Sequence, residues 1–146
     1  MKSVSVIGTA KFDSHLCFVA ETVGSILAKK GFAIISGGLG GIMEYAFKGA
    51  KKENGLTIGI IPSYNKSEAN KYCDIVIPSG MGHARNILVV SSGDIVVSVG
   101  GEYGTTSEIA IALKLNKHVI SYKSPINHEN NFMDVDTFIN KIKGLL

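Results

Sequence analysis

The residues best suited to chemistry lie between positions 85 and 108. The stretch "VGGEYGTTSEIA", residues 99–110, leaves the apolar run Ile95, Val96, Val97 through Gly100, Gly101 and Gly104, and sets Glu108 just inside the helix that follows. Glycines let a backbone approach a ligand closely, and the first N–H groups of a helix have no partner within it. Together they make a seat for an oxyanion, with Gly101, Gly104, Thr105 and Thr106 as the cradle. Helical side chains lean toward the N-terminus, so the Glu108 carboxylate, about 4.5 Å along the axis from Thr105, reaches back toward that seat. A carboxylate there needs a counter-charge or separate work on the ligand's sugar. Arg85 is the obvious counter-charge: it is the only arginine among 15 basic residues. Its planar fork suits bidentate binding of phosphate, which lysine does not copy.

The same residues have a structural reading. Thr105-x-x-Glu108 is a capping box, worth about 1 kcal/mol per cap. It needs no preceding glycines, however, and Gly93, Gly100, Gly101 and Gly104 surround this one. Arg85 alone would pass for a surface arginine paired with an acid. It stands in the first turn of a predicted helix, where a cation opposes the dipole, so helix stability does not explain it. Asn86, His83, Met81 and Thr9 are further candidates for the same crevice, whereas Met43 reads as core.

The elements that must position these residues follow from periodicity. Val4 to Ile7, Phe32 to Ile35, Thr57 to Ile61, Asp74 to Ile77, Asp94 to Val99 and His118 to Ser121 read as six short strands. Apolar residues at three- and four-residue spacing mark helices around Leu16–Leu27, Ile42–Ala50, Ala84–Ser91, Thr105–Leu115 and Val135–Ile142. The segment from Ser63 to Lys71 is polar, and Lys123 to Asn131 reads as a loop. Near-continuous apolar strands in strict alternation with helices predict a parallel sheet covered on both faces. No repeat or linker interrupts residues 1–146, which read as a single domain.

In such a sheet ligands bind beyond the carboxyl ends of the strands. The loops on that rim are Gly8-Thr9-Ala10, Ser36 to Gly41 with Gly37 and Gly38, Pro78 to Gly82, and Gly100 to Thr105. Two glycine-rich turns that each open a helix on one rim point to an anionic ligand. The loop after the first strand has one glycine and is no GxGxxG, and no GxxxxGK[ST] occurs.

Composition narrows the partners. A net charge of +3 is too weak and scattered to argue for nucleic acid. The doublets Lys29-Lys30 and Lys51-Lys52 fall at predicted helix ends, where they complement the dipole. Cys17 and Cys73 lack metal-ligand spacing and read as reduced, buried thiols of a cytoplasmic protein. No apolar run reaches membrane-spanning length, and His15, His83, His118 and His128 are dispersed, so no metal site is indicated.

"SGGLGGIMEYAFKGA" and "GHARNILVVSSGDIVVSVGGEYGTTSEIAIAL" resemble the glycine-rich segments of the LONELY GUY (LOG) superfamily, also labelled lysine decarboxylase-like. "GHARN" and "SVGGEYGTTSEIAIALKLNKHVI" are most similar to its molybdenum cofactor carrier-like branch. The resemblance implies a Rossmann-like three-layer sandwich and a homo-oligomer, dimer or tetramer. It implies a site for a phosphorylated small molecule, a nucleotide monophosphate or the molybdenum cofactor. The LOG enzymes are phosphoribohydrolases that cleave the N-glycosidic bond of nucleoside 5′-monophosphates, and Arg85 and Glu108 match their catalytic positions. Asn86 stands where that pattern has Lys, and Val99 where it has Pro. Three functions are therefore expected in order: a binding protein, a phosphoribohydrolase, and a regulatory or scaffold protein. Gly8, Thr9, Gly37, Gly38, Gly82, Arg85, Asn86, Gly100, Gly101, Gly104, Thr105 and Thr106 are the expected ligand contacts.

Overall fold

A computed structural model describes residues 2–146. Seven strands form one sheet: β1 (Ser3–Gly8), β2 (Ala33–Ser36), β3 (Thr57–Ile61), β4 (Ile75–Pro78), β5 (Ile95–Val99), β6 (His118–Tyr122) and β7 (Asn131–Phe132). The helices are α1 (Ser14–Lys29), α2 (Ile42–Lys52), α3 (Arg85–Ser92), α4 (Tyr103–Lys114) and α5 (Val135–Lys143). Every pairing is parallel, and the order is β4-β3-β2-β1-β5-β6-β7.

This is a Rossmann-like α/β sandwich. One face of the sheet packs Val4, Val6, Val97, Val99 and Ile120 against α1, α2 and α5. The other packs Ile7, Ile35, Ile60, Val96 and Val119 against Val89 and Val90 of α3 and Ile109 and Ala112 of α4. Alternate residues of β1 thus enter opposite cores, as strand period requires.

Helix ends follow local chemistry. Asp13 caps α1 by accepting from the Leu16 N–H at 2.9 Å, and Asp134 caps α5 by accepting from the Thr137 N–H at 3.0 Å. At the other end of α2, the Lys51 Nζ donates to the Gly55 carbonyl at 2.9 Å and pairs with Asp74 at 2.7 Å. Lys51 and Lys52 stand in the last turn of α2 and Lys29 in that of α1, positions where a cation complements the dipole.

Three expectations need correction. β7 lies at the end of the stretch expected to be loop; two residues carry no detectable period. β4 is an edge strand, and its register with β3 sets Ile75 and Ile77 beside Ile58 and Ile60. Ile75 and Ile77 remain half-exposed, so the α3–α4 face is incompletely covered. Cys17 is buried but Cys73 only partly so; both are free thiols. Among the described residues no helix is long and apolar enough to cross a membrane.

Candidate functional site

The strand order reverses at β1: the chain runs outward to β4, then returns through α3 to β5 on the opposite side of β1. The loops after β1 and β5 therefore diverge to opposite faces and leave a crevice between them. A cleft of about 270 Å³ occupies that place. Its walls include Gly8, Thr9, Ala10 and Lys11 after β1, Gly37 and Leu39 after β2, His83, Arg85 and Asn86 before and within α3, and Glu102, Gly104, Thr105 and Glu108 after β5.

The first turn of α4 differs from the expected capping box. The helix starts at Tyr103, not Thr105, and Glu102 is its N-cap residue without any side-chain capping bond. Thr105 thus sits inside the first turn, and its hydroxyl caps nothing. The Thr106 N–H finds the Glu102 carbonyl at 2.8 Å, whereas the N–H groups of Tyr103, Gly104 and Thr105 precede the first available helical acceptor. Nothing lies within 4 Å of where a Cβ on Gly104 would stand, so the helix start opens onto the cleft.

Arg85 from α3 and Glu108 from the adjacent α4 both line this cleft. Arg85 is 8% exposed, and its Nε is, among the described residues, the one buried side-chain polar atom without a hydrogen-bond partner. Its Nη1 donates to Asn86 Oδ1. Asn86 Nδ2 donates to Ser107 Oγ at 3.3 Å, and that hydroxyl donates to the Gly104 carbonyl at 2.9 Å. A relay of hydrogen bonds thus joins α3 to the start of α4 and fixes the guanidinium. Asn86 does what a lysine there would not, since only the amide accepts from arginine.

Glu108 is 7% exposed and forms no hydrogen bond or ion pair with another described residue. Burial raises its carboxyl pKa to about 7, against the opposing pull of Arg85. Burial lowers the Arg85 pKa, and the charge of Glu108 works the other way; arginine nonetheless stays cationic near neutrality. At the cleft mouth, Lys11 Nζ and Glu102 Oε1 pair at 3.3 Å. Both are exposed, so the pair adds little stability.

Several expected contacts lie elsewhere. A Cβ on Gly38 would meet Ile61 and Gly59, so that residue faces β3. Gly100 (φ +60°) packs on Leu16, and Gly101 (φ +128°) on the Thr105 side chain; both shape the turn rather than line the cleft. Gly82 has φ +59° beside open space and belongs to the 3-10 turn before α3. Thr106 Oγ1 donates back to the Glu102 carbonyl at 2.8 Å. Gly93 precedes β5 on the opposite rim, where a Cβ would strike Ser5. Met81 is exposed and outside the cleft wall, whereas Met43 is both buried and part of that wall. Nothing in the local pattern marks Glu102 or Ser107 as site residues, whereas Lys11 follows Gly8-Thr9-Ala10 directly on the same rim.

Gly37 has a distinct part. A Cβ there would stand 2.8 Å from Arg85 Nη2 and 2.7 Å from Met43 Sδ. Both are ends of flexible side chains, so Gly37→Ala should displace the guanidinium while sparing the fold. We expect thermal melts to shift by roughly 3 °C or less, equivalent to about 1 kcal/mol, while calorimetry shows a several-fold loss of phosphate affinity. An unchanged affinity would mean that the guanidinium position is immaterial.

A family model for the SLOG cluster4 family matches residues 1–142. The chain belongs to the SLOG cluster4 family. An uncharacterised protein of Archaeoglobus fulgidus is 48% identical over 126 residues, covering 86% of this chain and 83% of that protein. The molybdenum cofactor binding protein of Rippkaea orientalis superposes with a TM-score of 0.82 at 36% identity, covering 97% of this chain and 85% of that one. The molybdenum cofactor carrier protein of Chlamydomonas reinhardtii gives 0.85 at 30% identity, covering 98% and 97%. DNA processing protein A of Helicobacter pylori, which binds single-stranded DNA, shares the fold alone, with a TM-score of 0.71 at 23% identity over 97% of this chain and 80% of that one. The expected carrier-like branch is thus the one to which the chain is similar.

Proposed function

We propose that this SLOG cluster4 protein binds a phosphorylated small molecule, a nucleotide or a molybdopterin-type cofactor, at the cleft between β1 and β5. One observation carries the reading: a buried guanidinium with an unsatisfied Nε shares a cleft with the uncapped start of a helix. A buried donor without a partner is costly, and an oxyanion relieves it at Arg85 and at the α4 amides together.

These residues fit the phosphate end of the molybdenum cofactor. Arg85, Gly104 and Thr105 would hold that phosphate, and the bound cofactor would supply its molybdenum chemistry to whichever protein receives it. Titration calorimetry with inorganic phosphate, AMP and GMP should give saturable heats. A flat response across a broad panel of phosphate compounds would favour a structural role for the glycine rim.

The state of Glu108 supports a second reading, phosphoribohydrolase activity. A buried carboxyl titrating near neutrality suits acid–base work or stabilisation of a cationic sugar. If an ionised Glu108 drives cleavage, release of free base from a nucleoside monophosphate rises as pH passes about 7, and Glu108→Gln abolishes it. No free base at any pH leaves the binding reading.

A further inference from the structure

A binding protein whose seat holds both a buried cation and a buried carboxyl faces an electrostatic conflict. Glu108 sits on the inner face of α4, next to the amides that would receive the anion, and has no described partner of its own. With Arg85 charged and Glu108 ionised, the seat is neutral overall, and an incoming dianion would meet the repulsion of the carboxylate with no net cation to offset it. With Glu108 protonated, the seat carries one net positive charge and its hydroxyl becomes a donor.

Resting on the cleft being an anion seat, we propose that it takes up a proton together with its anion, Glu108 entering the complex as the neutral acid. The proton comes from solvent and ends on a carboxylate oxygen. No covalent bond to the ligand forms or breaks.

The surroundings leave few other proton acceptors. α4 packs chiefly against α3, β1, β5 and β6. α3 contributes Arg85 alone, and β1 and β5 contribute no ionisable side chain. β6 contributes His118 at its far end and Tyr122, whose hydroxyl bonds His15 at 2.9 Å on the other face. At the mouth, Lys11 and Glu102 pair with each other. His83 is the remaining candidate, and it is exposed. Burial has already brought Glu108 close to the uncharged state, with a pKa of about 7, so holding the proton near neutral pH requires little further work.

The coupling makes affinity fall as pH rises. For a group titrating near 7, Kd should increase about tenfold between pH 6 and pH 8. Sulfate is the probe, because it stays a dianion throughout that range. Calorimetry in buffers of different ionisation enthalpy counts the protons. Uptake should approach one per sulfate at pH 8 and be small at pH 6, and Glu108→Gln should abolish it and bind equally at both. Binding without proton uptake at pH 8, or uptake that survives undiminished in Glu108→Gln and so belongs to His83, overturns this inference and leaves the anion seat standing. No sulfate binding at either pH overturns the anion seat as well. Should Glu108→Gln fail to fold, infrared difference spectra of the wild-type protein decide. A carboxylic-acid band should appear when sulfate is added at pH 8, and its absence refutes the coupling.

Discussion

Replacing Arg85 with alanine should weaken phosphate binding by about 1.5–3 kcal/mol, roughly 10- to 150-fold in Kd, with a loss of stability of only about 1 kcal/mol. The two halves of this result come from the same atoms. The guanidinium is buried, its Nε has no partner, and burial works against its charge. Without a bound anion it therefore returns little for its desolvation, and its removal costs the fold about the one hydrogen bond to Asn86, roughly 1 kcal/mol. In the complex the same desolvation makes each charge-assisted hydrogen bond strong. Arg85→Lys separates charge from shape. Lysine keeps the cation but lacks the fork that bonds Asn86 with one arm and leaves the others to the ligand. We expect it to recover only part of the lost affinity. Calorimetry with phosphate and a thermal melt on each variant check both halves. Undiminished affinity in the alanine variant would remove Arg85 from the site.

Gly24→Ala should lower stability by about 3 kcal/mol and the melting temperature by about 10 °C. The sign is opposite to helix propensity, under which alanine beats glycine by up to about 1 kcal/mol. The reason lies between α1 and α2. A Cβ on Gly24 would stand 1.9 Å from the Ala46 carbonyl oxygen, and one on Gly49 would stand 1.9 Å from the Glu21 carbonyl oxygen. Each glycine thus seats the backbone of the facing helix. No rotamer relieves a clash with backbone, so the helices must separate and their shared core loosens. The separation would also strain the start of α2, where the Ile42 N–H bonds the Thr9 carbonyl at 3.0 Å on the cleft side. Urea denaturation of Gly24→Ala and Gly49→Ala measures the loss, and stability equal to wild type would disprove the packing argument.

These two residues show the boundary between what was legible in the chain and what was not. Strand–helix alternation, the parallel sheet and the four glycine-bearing loops on one rim were readable, because period and turn chemistry are local properties of a segment. So was the oddity of Arg85, a lone guanidinium where the helix dipole disfavours it. The helix that begins near Thr105 was readable too, but its first residue was not. The amides of Tyr103, Gly104 and Thr105 precede the first helical acceptor, and only the tertiary structure shows that a capping box consistent with the sequence does not form.

The sequence alone determined the class of fold, the rim and the residue types available for an anion. The tertiary structure decided the rest: that β1 lies between β2 and β5, that Arg85 and Glu108 line one cleft, that Asn86 and Ser107 brace the guanidinium, and that Gly24 and Gly49 are points of helix contact. The physical reason is that strand order and helix facing arise from burial between segments distant in sequence. A local pattern says which face of an element is apolar, but not which other face covers it.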